Sequence, residues 1–112
     1  MNETLAQLHA RKSVRAYLDK PIAPEEKRAI LEAACAAPTA GNQQLYTILD
    51  ITDQAVKATL ADTCDHQPFI ARAPMVLIFC ADCQKWYDAY QAGGCQPRAL
   101  GPGGLLLAFS DA

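Results

Sequence analysis

The sequence predicts a single globular domain of mixed helix and strand, on three observations. Two strand-length apolar runs, 45–51 and 75–80, lie between segments whose apolar residues recur at helical spacing. Of the 112 residues, 51% are apolar, and twelve acids nearly balance ten bases, a composition that disfavours disorder. One domain is the natural size, because domains run to roughly 100 to 150 residues.

Each element has a local cause. Asn2 is a suitable N-cap, and Leu5 and Leu8 at i, i+3 predict a short helix running to about Arg11. A turn-like stretch, 18–24, leads to Pro24 at the first position of a second helix, with Glu25 and Glu26 favouring its positive end. That helix carries Ile30, Ala33, Ala34 and Ala37 on one face and stops before Pro38. After a loop at 38–42, Leu45 to Ile51 has the β-branched and aromatic content of a strand. Asp53 caps a third helix with Val56, Leu60 and alanines on one side. Met75 to Cys80 is apolar throughout, which predicts a strand buried on both faces. Asp82 or Cys83 starts a helix through Trp86 and Tyr90. Gly93 to Gly104 holds five of the six glycines and reads as a loop or lid. Leu105 to Ala112 reads as the opening turns of an apolar helix with no segment to cover it, so the expectation is an incomplete domain, 1–112, or one completed by another chain.

Composition also narrows function. Nucleic acid is disfavoured as a partner, since binders carry a basic excess. The longest apolar run, Ala73 to Ala81, is far short of the roughly 20 residues a membrane span requires, and the N-terminal residues lack a signal-peptide pattern. The expected compartment is the cytoplasm. Five scattered cysteines, an odd number, fit reduced thiols better than a disulfide framework.

Two constellations carry chemistry. In Arg11-Lys12-Ser13-Val14-Arg15, an extended backbone would turn residues 11, 13 and 15 to one side, where two guanidinium forks and a hydroxyl suit a phosphate. The alternative is a solvated basic patch with acidic partners nearby. In Ala37-Pro38-Thr39-Ala40-Gly41-Asn42-Gln43-Gln44, a stiff turn is followed by amides that offer both donor and acceptor, suited to the edge of a planar heterocycle. The alternative there is an ordinary helix-to-strand loop.

Those two segments, with Pro21-Ile22, Ile30-Leu31-Glu32-Ala33-Ala34, Gln67-Pro68-Phe69-Ile70, Ala73-Pro74-Met75-Val76-Leu77-Ile78 and Trp86-Tyr87, resemble the N-terminal half of the FMN-dependent nitroreductase family. The resemblance implies an α+β nitroreductase-like fold in which two subunits intertwine as a homodimer with FMN at the interface. It implies that Arg11, Ser13 and Arg15 hold the FMN phosphate and ribityl chain. Pro38, Thr39, Ala40 and Asn42 match the loop that reaches the flavin from the partner subunit, Gln44 falls close to it, and Gln67 matches an amide on the pyrimidine edge. The implied activity is an oxidoreductase passing hydride from NADH or NADPH through FMN to a nitroaromatic, quinone or similar small-molecule acceptor, with no protein residue acting as general acid. The sequence departs from the family in length, at about half.

Other readings compete. Cys80-Ala81-Asp82-Cys83, at a strand end and helix start, suits a thiol-disulfide oxidoreductase. A zinc site would draw on Cys80, Cys83, Cys95 and Cys64 or His66, but has only one close-spaced couple. A third reading is a non-catalytic, truncated relative. His9 and His66 read as solvated, and Trp86, Tyr87 and Tyr90 read as core aromatics that could also roof a planar ligand.

Overall fold

The computed structural model describes residues 2–112. Helix α1, Glu3–Ala10, begins at Asn2, whose side chain accepts the Leu5 N–H at 2.9 Å, and ends where Arg11 turns extended (φ −60°, ψ 136°). Helix α2, Pro24–Cys35, has proline in its first turn, and the Glu26 carboxylate reaches back to the Ala23 N–H at 3.2 Å. A 3₁₀ turn at Ala40–Asn42 leads into β1, Tyr46–Ile51. Helix α3, Gln54–Thr63, is capped by Asp53, whose side chain accepts from both Ala55 and Val56. A short α4, Pro68–Arg72, precedes β2, Val76–Ala81, and then come α5, Gln84–Ala92, and α6, Pro102–Asp111.

The two strands form one antiparallel ladder, from Tyr46 opposite Ala81 to Ile51 opposite Val76. It is extended by one further bond, from the Asp82 N–H to the Leu45 carbonyl. Helix α6 packs on both strands and α3 packs on α4. Where α6 meets the sheet lie the best-buried positions, Ala108 at 0% exposure and Leu45 at 5%.

Several expectations need correcting. β2 is half-buried, with Phe79 exposed, because it belongs to a two-stranded antiparallel pair and has no covering layer on its other face. Helix α2 turns Lys27, Leu31 and Ala34 inward and leaves Ile30 and Ala33 exposed, so its packed face is rotated from the one that apolar spacing suggested. The rotation lets Lys27 pair with Asp50 on β1, an ion pair about a third exposed on each side and worth at most about 1 kcal/mol. On α3 the buried residues are Lys57 and Ala61, while Val56 is exposed. Lys57 is buried, has no carboxylate partner among the described residues, and donates through Nζ to the Ala73 carbonyl at 3.1 Å, just beyond α4. Helix α6 starts inside the glycine-rich stretch, at Pro102, which suits a helix's first turn.

The chain is open in form. Its radius of gyration is 17.6 Å, against about 13 Å for a compact domain of this length. Leu5, Leu8, Trp86, Tyr90, Leu105, Leu106 and Phe109 all remain exposed, so much apolar surface has no partner within this chain.

The corner between the sheet and α5 is electrostatic. Asp82 accepts from the Thr47 hydroxyl at 2.5 Å and from the Lys85 N–H at 3.3 Å, and the Thr47 bond above all holds its carboxyl below the usual range, with Lys85 adding to it. A depressed carboxylate contributes stability that is complete above its unfolded value near 3.9 and is lost as pH falls through the folded value. Thr47→Val should therefore cost about 1 to 2 kcal/mol at pH 7 and flatten the loss of stability below about pH 4. Urea midpoints at pH 7 and pH 3 measure both effects. At the other end of the sheet, Asp53→Ala should cost about 1 kcal/mol in the same assay, through loss of the α3 cap.

Candidate functional site

The segment from Arg11 to Asp19 is extended and exposed, with no regular structure. Among the described residues, the side chains of Arg11, Ser13 and Arg15 make no hydrogen bond to the protein, and the two arginines make no ion pair. Arg15 has one aromatic neighbour, with its guanidinium carbon 5.8 Å from the Phe69 ring centroid. Arg15, Tyr17 and Asp19 form one wall of a cleft of about 660 Å³, which Gln54 and Arg72 help to close. Gln54 is held there by donating to the Ala71 carbonyl at 2.9 Å.

The second segment is a tightly organised loop between α2 and β1. Gly41, Asn42 and Gln44 take left-handed backbone conformations, with φ of 60°, 51° and 53°. For the two non-glycine residues this costs about 1 kcal/mol or more each, so other contacts must hold the loop. Some are internal. The Thr39 hydroxyl oxygen accepts the Gln44 N–H at 3.2 Å, and the Asn42 carbonyl oxygen accepts from the Gln44 amide at 3.3 Å. Others come from far along the chain. Trp86 Nε1 donates to the Gln43 carbonyl at 2.6 Å. Asp111 accepts the Leu45 N–H at 3.2 Å and, at the limit of a hydrogen bond, the Ala40 N–H at 3.5 Å. Lys85 Nζ donates to the Tyr46 carbonyl at 2.5 Å and lies 5.5 Å from the Tyr46 ring centroid.

These bonds define what the loop still offers. Among the described residues, Thr39 keeps its O–H as a donor, Asn42 keeps its side-chain NH₂, and Gln44 keeps its side-chain Oε1 as an acceptor. Pro38 has no N–H to give. The Ala40 N–H already faces Asp111. Gln67, just before α4, donates through Nε2 to the Cys64 carbonyl at 2.9 Å, which leaves its side-chain Oε1 without a partner among the described residues. Arg15 lines the 660 Å³ cleft, whereas Gln43 lines a different one, with Trp86, Tyr87 and Tyr90.

Sequence reasoning missed Asp111, Lys85 and the anchoring role of Trp86. Nothing in a local window marks Asp111 as a partner of residues 66 and 71 positions away. The indole of Trp86 was a readable signal, since a tryptophan N–H near a core needs an acceptor. Cys80 and Cys83 are free and half-buried, and among the described residues no three His, Cys, Asp or Glu side chains gather as a metal site. His66 is exposed, with Nδ1 2.6 Å from the Asp62 carboxylate one helical turn earlier.

The comparison that decides the family covers both segments: residues 8–100 match the model of the nitroreductase family. The chain belongs to the nitroreductase family. Among curated relatives, it is 38% identical over 82 residues to the FMN reductase [NAD(P)H] of Bacillus subtilis, covering 73% of this chain and 33% of that protein. It is 31% identical over 85 residues to the NADPH-flavin oxidoreductase of Vibrio harveyi, covering 76% and 35%. Among solved structures, B. megaterium NfrA2 superposes with a TM-score of 0.90 at 29% identity, over 99% of this chain and 46% of that one. The nitroreductase fold is thus present as a portion, and the chain spans less than half the length of these relatives. No helix among the described residues is long and apolar enough to cross a membrane.

The loop anchors can be tested. Asp111→Ala should speed hydrogen exchange of the Leu45 amide by about tenfold or more, since a hydrogen bond to a charged acceptor is worth roughly 1.5 to 3 kcal/mol. The Tyr46 hydroxyl titrates above its ordinary value through burial, then the Cys35 thiol, then the Asp111 charge. The same variant should lower the Tyr46 titration midpoint, read by ultraviolet absorbance.

Proposed function

We propose that this chain carries one share of an FMN site in an NAD(P)H-dependent oxidoreductase, built at the interface of a homodimer. The observation that carries the reading is the Arg11, Ser13, Arg15 triad, exposed and without a protein hydrogen-bond partner or carboxylate among the described residues. Family membership supports it, as do the relatives' names, FMN reductase and NADPH-flavin oxidoreductase.

The residues fit the group. Arg11 and Arg15 would neutralise the phosphate, with Ser13 adding a neutral donor. The free Gln67 carbonyl oxygen is the acceptor that an imino N–H on the pyrimidine edge requires, and Thr39, Asn42 and Gln44 offer the mixed set of donors and acceptors that suits the rest of a heterocycle's rim. As the family resemblance implies, the loop would serve the site of the other subunit. FMN, when bound, supplies the hydride chemistry between NADH or NADPH and a nitroaromatic, quinone or similar small-molecule acceptor. The protein's part is to bind, orient and exclude water, and no side chain is assigned as a general acid. Five free cysteines support a cytoplasmic location.

FMN titration followed by quenching of flavin fluorescence tests the assignment. Arg11→Ala and Arg15→Ala should each weaken FMN binding about tenfold or more, the scale of a lost charge-assisted bond. Unchanged affinity would refute the phosphate assignment. A Cys80→Ser, Cys83→Ser double variant should retain flavin and NAD(P)H oxidation, and loss of turnover with flavin intact would favour thiol-disulfide chemistry.

A further inference from the structure

Phe69 sits at the meeting point of the two ends of the proposed flavin contact. It lies on α4, two residues beyond Gln67, so the same short helix that fixes the ring-edge amide also carries an aromatic face towards the Arg11–Arg15 segment. One neighbour of that ring is the Arg15 guanidinium, 5.8 Å from the centroid. Another is Tyr17, with centroids 6.3 Å apart and planes tilted by 59°. Phe69 is half-buried, whereas Arg15 is exposed and lacks a carboxylate among the described residues. An arginine on an extended, exposed segment would otherwise sample many rotamers, and each must be given up on binding.

We propose that Phe69 is a positioning residue for the phosphate grip: its ring holds the Arg15 guanidinium by a cation–π contact and leaves the N–H fork and the full charge free for an anion. A carboxylate partner would orient the same arginine but cancel its charge, whereas an aromatic face orients it without competing for the N–H donors. Tyr17 braces the ring and ties the far side of the segment to α4. Gln67 is held separately, through its own bond to the Cys64 carbonyl. The role of Phe69 rests on the flavin reading above.

The test separates alignment of Arg15 from general packing and from the flavin reading itself. In the flavin-free protein, the Arg15 side-chain Nε–Hε resonance should be shifted upfield by the ring current of Phe69, and the shift should disappear in Phe69→Leu but persist in Phe69→Tyr. An unshifted Arg15 resonance in the parent protein overturns the proposal, whatever the protein binds. In titrations, Phe69→Leu should weaken FMN by roughly twofold to thirtyfold, the range of a cation–π contact, and Phe69→Tyr should restore it. Riboflavin, which lacks the phosphate, should bind parent and Phe69→Leu equally. If Phe69→Leu weakens riboflavin as much as FMN, the residue only packs and the positioning role is overturned. A shifted Arg15 resonance in a protein that takes up neither flavin overturns the flavin reading instead, and with it the purpose of the alignment.

Discussion

The loop between α2 and β1 cannot satisfy its own backbone, and that constraint organises the middle of the molecule. Left-handed residues at 41, 42 and 44 turn the chain so sharply that the Leu45 N–H and the Gln43 carbonyl point away from neighbours in sequence. The Leu45 N–H is part-buried, and such a group without a partner costs about 1 to 3 kcal/mol, whereas the Gln43 carbonyl lies at an exposed position. The partners arrive from two other elements, Trp86 on α5 and Asp111 at the end of α6. The docking of α6 on the sheet is therefore more than core packing around Ala108, because it delivers a carboxylate to the loop.

Local signals in the sequence account for most of the elements. Asn2, Pro24 and Asp53 start their helices as their chemistry dictates, and both strands fall within one residue of the apolar runs that announced them. What failed was orientation. The inward face of α2 includes Lys27, whose pairing with Asp50 depends on a strand more than a dozen residues on. The buried face of α3 holds a lysine, which no apolar periodicity would select, because the Ala73 carbonyl beyond α4 supplies its acceptor. A wholly apolar β2 suggested burial on both faces, yet apolar content states only what a strand could tolerate, and the layer must come from somewhere.

The candidate site divides in the same way. The residue types that suit phosphate and heterocycle were readable from the Arg11–Arg15 and Pro38–Gln44 segments alone, and the family comparison covers both. Which atoms of those residues remain free was not readable. Thr39, Asn42 and Gln44 spend part of their hydrogen-bonding capacity on each other, and Gln67 spends its NH₂ on Cys64. The partners of the long-range anchors were not readable either, since each is a pairing between side chain and backbone with no repeating pattern, and the indole of Trp86 signalled only that an acceptor was needed.

The Asp111 contact also has a place in time. It joins residues 66 and 71 positions apart, so it closes one of the longest loops in the chain, and the entropy of that closure must be met before the bond forms. During synthesis, the loop at 39–45 is complete long before the ribosome adds residue 111. Until then, its strained turns lack one of their distant holders. The loop proposed to meet the cofactor thus gains its last long-range bonds only after α6 has emerged and docked.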